Sequence, residues 1–460
     1  MNLRENDLAT PVTVMKFGGT SLEDESAFRG AASIVSRWQG SLPIVIASAM
    51  SGVTDALLTG LRTAADGDID TARRSLEDQF KRHLRVAKGL SESANIKTRM
   101  LVETTRCEIA ELLSVAAAHR KTTARLDDAI ASHGERLSAN LLTTVLQTHG
   151  LPAVYVDARR CIVTNEKHGT GTAKPLIAES KRRSRNQLQP LIANRMIPVL
   201  EGFVAATKTG IPSTLGRGSS NYTATLVGAA LNAREVQIWT DVDGVLTADP
   251  SMVTNPCTIP MLSYAEASEL ARLGTRVLHP RMIYPARERV IPVRICNSRA
   301  PEQTGTLICG WRDVSPGVIT AIVHRTNLAR IDIGSTPESI ANGSLGEIKR
   351  IFKRHQTQLD VIIRSEVSIS LTCSNAAALS SIAQDLNQIG SVTVEANCGS
   401  VSCIGEGLRS RRHEREILQR LNQIDPSLVW HRASPVNLTT VIDCDSLGSI
   451  VRRLHQGIFE

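Results

Sequence analysis

The segment from Val12 to Ala65 constrains the fold most, because strand, glycine turn, helix and strand follow one another in it. Val12-Thr13-Val14-Met15-Lys16 is an apolar run of strand length that enters Phe17-Gly18-Gly19-Thr20-Ser21. An amphipathic stretch from about Glu25 to Trp38 follows. Pro43-Ile44-Val45-Ile46-Ala47-Ser48 is a second apolar run. Ala49-Met50-Ser51-Gly52 then leads into a helical pattern from Val53 to Ala65. This order is a βαβ unit, and a βαβ unit requires a parallel sheet. Aromatic residues are only 3% of the chain. The core is therefore built from Ala, Val, Leu and Ile, which suits a sheet buried on both faces.

A chain of 460 residues exceeds one hydrophobic core. Residues 72–148 carry helix-period apolar positions without proline. Strand runs resume at Ala153–Val156, Ile197–Leu200, Val236–Trp239 and Pro292–Ile295, with a small, apolar helix over Ser219–Asn232. Pro301 and Pro316 punctuate a boundary. Beyond it, short strands (Ile319–Val323, Val367–Leu371, Thr439–Ile442) alternate with helical runs (Gly346–His355, Asn375–Ile389, His413–Gln423). The order βαββαβ, read twice, predicts two ferredoxin-like α+β domains. The expected division is 1–310 for an α/β domain and 318–460 for the repeated region. Its two domains are expected at about 328–391, and at about 318–326 with 392–460.

The formal charge is +8. The basic runs Lys181–Arg185 and Arg409–Arg412 lack interleaved aromatics, so they are read as solvated faces and not as a nucleic-acid surface. Nine cysteines are scattered with no CxxC pair, which argues against a zinc site or a disulfide framework and for a reducing cytoplasm. No apolar run is long enough to span a bilayer.

Gly18-Gly19 at the end of the first strand lets backbone N–H groups approach a phosphate with no Cβ in the way, and Lys16 just before them supplies a point charge. Alone this is a weak signal, since ordinary strand-to-helix turns outnumber phosphate loops. Neither the Walker nor the Rossmann glycine pattern is present.

The motifs become specific when taken in order. KFGGTS at Lys16–Ser21, SAMSGVTDAL at Ser48–Leu57 and SHGERLS at Ser132–Ser138 come first. EGF at Glu201–Phe203, STLGRGSSNYTA at Ser213–Ala224, WTDVDGVLTADP at Trp239–Pro250 and VLHP at Val277–Pro280 follow. The set resembles the aspartokinases of the amino-acid kinase family over nearly the whole chain. The resemblance implies a three-layer αβα sandwich with a mostly parallel sheet, followed by two ACT domains. It also implies ATP-dependent phosphorylation of the L-aspartate side chain, the first step toward lysine, threonine and methionine, with Mg²⁺ carried by ATP.

Residue by residue, the resemblance places Glu135 on the substrate's α-amino group and Arg217 on its α-carboxylate, a bidentate role that suits a guanidinium. Ser48, Thr54, Phe203 and Ser220 fall at the other aspartate-contacting positions. Lys16, Gly18 and Gly19 serve the phosphates, and Thr240 and Asp241 the nucleotide. A structural ion pair for Arg217 and a plain turn for Asp241–Gly244 are the bland alternatives. The acceptor carboxylate is already ionised, so catalysis rests on alignment and charge neutralisation, with no general base and no protein-held metal.

The sequence departs from the family on the nucleotide side. The usual aspartate of Gly-Gly-Ser-Asp is Asn221, the lysine before VLHP is Arg276, and Leu246 and Ser251 replace a tyrosine and an arginine. Asn221 and Arg276 are nevertheless expected at the reaction centre. In the C-terminal half, Gly343, Ser344, Leu345, Asp360, Ser365, Glu366 and Val367 match effector positions, with Ser344 in place of a usual phenylalanine. A lysine or threonine effector and a homodimer through the ACT domains are expected. The alternatives are a catalytically impaired aspartate sensor, or a kinase for another acceptor such as glutamate.

Overall fold

The computed structural model describes residues 12–169, 172–216, 218–275, 277–310, 319–334, 344–357, 359–364, 368–374 and 377–460, with backbone alone at 344 and 360–364. The expected site residues Arg217, Arg276, Gly343, Ser365, Glu366 and Val367, and the side chains of Ser344 and Asp360, lie outside the described residues. The chain divides into two compact units, Met1–Val245 with His279–Gly310, and Leu246–Leu278 with Trp311–Glu460.

In the first unit the parallel sheet is built on β1 (Thr13–Phe17), β2 (Pro43–Ala47), β5 (Ile197–Glu201) and β8 (Glu235–Thr240). Every residue of β1, β2 and β5 is buried, which is why they read as continuous apolar runs. With β3 (Ala153–Tyr155), β10 (Val293–Asn297) and β11 (Thr306–Cys309) the order is β3-β5-β2-β1-β8-β10-β11. Only β11 runs antiparallel, against β10. A small sheet of β4 (Val163–Thr164), β6 (Val204–Thr207) and β7 (Pro212–Thr214) stands apart.

Helices α1 (Glu25–Arg37), α2 (Val53–Ala65), α3 (Ile69–Lys88), α4 (Glu92–His119) and α5 (Ala124–Thr148) pack on one another, and α5 meets β2, β3 and β5. A second group, α6 (Ile177–Ala193), α7 (Ser220–Leu231) and α9 (Pro280–Arg289), meets the strands through α6 and α7. Two helix groups around one sheet make the three-layer αβα sandwich that was expected. The long helical region breaks where Arg120 turns left-handed at φ 47° and Thr123 caps α5 by accepting the Leu126 N–H at 3.2 Å. The basic run on α6 is a solvated face, with Arg182 and Arg183 both paired to Glu179.

In the second unit, β12 (Ala321–Gly334) and β15 (Ser391–Ile404) pair antiparallel along both halves, with register shifts at Arg325/Leu328 and Leu328/Arg330. Together with β13 (Leu359–Arg364), β14 (Ser368–Cys373), β16 (His431–Ser434) and β17 (Asn437–Asp443) they form one sheet, ordered β13-β14-β12-β15-β17-β16. Two ferredoxin-like units therefore lie side by side and share their long strands. One core gathers Ile331, Ile333, Phe352 and Leu371 under α10 (Ser344–Arg354) and α11 (Leu379–Leu386). The other gathers Ile322, Val401, Leu421 and Leu454 under α12 (Arg411–Ile424) and α13 (Cys444–Phe459).

Residues 246–278 were expected with the first domain, yet they group with the second. They carry β9 (Met261–Ser263) and α8 (Tyr264–Arg272). Ala248 and Val253 join the core under α13, and Thr247 Oγ1 bonds the buried His455 Nε2 at 2.9 Å. Glu266, fully buried, accepts the Thr320 hydroxyl at 2.6 Å and the Glu406 N–H at 3.1 Å. A buried carboxylate satisfied by such donors fixes its element in place.

Candidate active site

The parallel strands end in register. Phe17 lies opposite Ala47 and Trp239, Ala47 opposite Glu201, and Thr240 opposite Asn297. Ligands of open α/β sheets bind beyond such carboxyl ends. The turn after β1 and the turn after β2 are joined: the Ser48 N–H donates to Phe17 O at 3.1 Å and the Ser51 N–H to Gly19 O at 3.2 Å. A Cβ on Gly19 would stand 3.0 Å from Ala49 O, so a side chain there would push the two turns apart.

Lys16 is 8% exposed, and its ammonium stands at the glycine turn, where a Cβ on Gly18 would be 3.4 Å from Nζ. Burial lowers its pKa to about 8, partly opposed by the charge of Glu135. The Gly18 amide donates to Trp239 O at 3.0 Å. That corrects the expectation of two free amides: of the pair, the Gly19 amide is the one that lacks an acceptor among the described residues.

Glu135 projects from α5, is 5% exposed, and its Oε2 has no hydrogen-bond partner among the described residues. One turn on, Ser138 Oγ accepts the Met50 N–H at 3.1 Å, which ties α5 to the turn after β2. Burial first, and the nearby Glu201, push the Glu135 pKa up to about 8. An unpaired buried carboxylate oxygen beside a buried ammonium is costly unless a ligand completes it. Ser48 and Thr54, both half-buried, flank the same turn.

Across the cleft, Phe203 is held at φ +54°, a region that bulky residues seldom enter. Its N–H donates to Thr223 Oγ1 at 2.9 Å and its carbonyl accepts the Leu215 N–H at 2.9 Å. Gly202 packs on Ser220 at the start of α7, and a Cβ there would lie 2.5 Å from Ser220 Oγ and 3.0 Å from its Cα. Gly202→Ala is expected to cost about 1–3 kcal/mol through this clash and to displace Phe203 and Ser220 together. Thermal melting and aspartate binding check it.

On the nucleotide side, Asn221 sits in the first turn of α7. Among the described residues its Nδ2 meets only Met282 Sδ, at 3.8 Å, and its buried Oδ1 has no partner. Thr240 Oγ1 donates to Asp241 Oδ1 at 3.1 Å, and the Thr240 carbonyl accepts the Ser298 N–H at 2.8 Å. The structure thus gathers Lys16, Gly18, Gly19, Ser48, Thr54 and Glu135 around two joined turns, with Phe203, Ser220 and Asn221 on the adjoining β5 and α7 ends. Sequence reasoning missed Glu201, which ends β5 and is 1% exposed. A lone acid closing the apolar run Ile197-Pro198-Val199-Leu200 was the available signal.

Residues 11–297 match the Amino acid kinase family. The chain is 32% identical to the lysine-sensitive aspartokinase 3 of Escherichia coli, over 98% of this chain and 99% of that one. The chain belongs to the aspartokinases. Aspartokinase 1 of Arabidopsis thaliana chloroplasts is 31% identical over 97% of this chain and 80% of its own length. Among solved aspartokinases, E. coli aspartokinase III in complex with aspartate and ADP superposes with a TM-score of 0.80 at 30% identity, covering 98% of this chain and all of that one. The same relative in complex with lysine and aspartate gives 0.79 at 31% identity, with equal coverage. No helix among the described residues of this aspartokinase-family chain is long and apolar enough to cross a membrane.

Proposed function

We propose that this chain transfers the γ-phosphoryl of ATP to the side-chain carboxylate of L-aspartate, giving 4-phospho-L-aspartate. One observation carries the reading: a buried lysine ammonium at a glycine turn feels the charge of a buried glutamate, one of whose oxygens has no partner among the described residues. The glutamate suits the substrate's ammonium, and the lysine suits the phosphoryl charge. Glu135 then holds the amine and Arg217 the α-carboxylate, with Ser48, Thr54, Phe203 and Ser220 enclosing the amino acid. Lys16 and the Gly19 amide meet the phosphates, and Thr240 and Asp241 face the nucleotide. Mg²⁺ enters on the triphosphate, keeping oxygen ligands and several waters. The E. coli relative solved with aspartate and ADP supports this substrate pair.

ADP release that requires L-aspartate and is not supported by L-glutamate is the expected result with the full chain. Asn221 favours a second reading, an aspartate sensor without turnover, because its amide offers no charge to the reaction centre. Aspartate binding with no aspartate-dependent ADP release would select that reading. For the second unit we propose an amino-acid effector, lysine before threonine, at the start of α10 and along β13–β14, within a homodimer formed through the ACT domains. The lysine complex of the E. coli relative supports lysine.

A further inference from the structure

The small sheet β4-β6-β7 has strands of two to four residues, so its own ladder supplies few hydrogen bonds. Its middle strand, β6, starts one residue after Phe203, and its edges are β4 and β7. One side chain ties both edges. Asp128 of α5, 3% exposed, accepts the hydroxyl of Thr214 on β7 with Oδ1, at 2.6 Å. Its Oδ2 accepts the Gly169 N–H at 3.0 Å and lies 3.2 Å from His168 Nδ1, both in the segment that follows β4. A buried carboxylate supplied with such donors fixes the elements that carry them.

The β7 tie leads to the wall of the cleft. Thr214 lies opposite Val204, and the next residue, Leu215, donates its N–H to the Phe203 carbonyl at 2.9 Å. The Leu215 carbonyl accepts the hydroxyl of Ser219, the neighbour of Ser220, at 3.0 Å. Phe203 keeps its φ of +54° only while its surroundings impose it.

On α5, Asp128 stands seven residues before Glu135, and Ser138 three residues after it. Those spacings put all three on one face of the helix, and all three are buried. Asp128 ties that face to the small sheet, and Ser138 ties it to the turn after β2 through the Met50 N–H. Glu135 lies between them, with an oxygen that has no partner among the described residues. Asp128 and Glu135 are about 10 Å apart along the helix axis.

We propose that Asp128 is a positioning residue for aspartate recognition: through Thr214 it holds the Phe203 wall at a set distance from Glu135 on the same helix. This rests on the reading of that cleft as the aspartate site. A wall and an amine partner fixed to one helix need no ordering when the amino acid arrives, and that preorganisation is the source of the affinity.

The ties can be cut separately. Thr214→Val removes the hydroxyl and nearly keeps the shape of the side chain, whereas Thr214→Ser keeps the hydroxyl and removes the methyl. Asp128→Asn leaves one acceptor oxygen, so one of the two edges then faces an amide donor.

Calorimetric titration of the full chain with L-aspartate and, separately, with ADP, beside a thermal melt, tests the proposal. Thr214→Val is expected to weaken aspartate binding by roughly tenfold and to leave ADP binding unchanged. Thr214→Ser is expected to bind aspartate as the wild type does. Asp128→Asn is expected to weaken aspartate by a factor similar to Thr214→Val, and it decides if the valine variant does not fold. A tie that served the fold alone would lower the melting temperature, or the fraction of chains that bind, and leave the aspartate affinity of the rest unchanged. That result would overturn the proposal, as would equal losses for aspartate and ADP, or a serine variant as weak as the valine one. Wild type that binds no aspartate would overturn the reading of the cleft itself, a result seen before any variant is made.

Discussion

Lys16→Met is expected to lower aspartate-dependent turnover by about 10³-fold or more while leaving the fold intact. The loss follows from the chemistry of phosphoryl transfer, in which positioning and charge neutralisation supply nearly all the acceleration. Lys16 is the buried cation at the glycine turn, and methionine matches its length without its charge. Stability is expected to hold, because burial already disfavours the charged lysine, as its lowered pKa reports. Replacing a buried ion with an apolar side chain of similar volume is commonly neutral or stabilising. Glu135, deprived of Lys16, takes up a proton instead of standing as an unpaired anion. Turnover measured beside a thermal melt separates the two effects. A Lys16→Met protein that melts normally and keeps near-wild-type turnover would remove this lysine from the mechanism.

Asn221→Asp is expected to raise turnover by about 10- to 100-fold. In the wild-type chain the Asn221 amide meets a thioether at 3.8 Å and its buried oxygen meets nothing among the described residues. A thioether is a weak acceptor, so the side chain holds no firm orientation. A carboxylate in the first turn of α7 gains from the helix dipole and supplies the negative charge that the amide lacks. Restoring one positioned electrostatic group typically returns a few kcal/mol of barrier. Aspartate-dependent ADP release by the variant and the wild type checks it. Equal rates would mean that Asn221 does not limit this chain.

The fold was legible where burial imposes a simple pattern. β1, β2 and β5 are enclosed on both faces, so their sequences are unbroken apolar runs, and the helices that follow β1 and β2 lie within a residue of where periodicity put them. The strands of the small sheet, two to four residues long, are too short to carry a period and were not anticipated. The regulatory repeats read as separate short strands, whereas β12 and β15 run through both of them, because a register shift near Leu328 lets one strand serve two domains. Residues 246–278 looked continuous with the catalytic region in sequence. Their attachment to the second unit depends on long-range contacts such as Thr247–His455, which no local pattern reveals.

The site was legible through motifs and not through pattern. Lys16 and Glu135 come from segments far apart in the chain, and only the resemblance assigned them to one site. The engaged Gly18 amide was invisible, because its acceptor, Trp239 O, belongs to a neighbouring strand end. Glu201 escaped for a related reason: the partners of its carboxylate, the Tyr155 hydroxyl and the Ala158 N–H, lie 46 and 43 residues earlier in the chain.

The most direct test of phosphoryl transfer to a carboxylate is chemical trapping of the product. With ATP, Mg²⁺, L-aspartate and hydroxylamine, the chain should yield the β-hydroxamate of aspartate in a one-to-one ratio with ADP, and Lys16→Met should yield neither. ADP formed without hydroxamate, or no ADP at all from a folded protein that binds both substrates, would contradict the account.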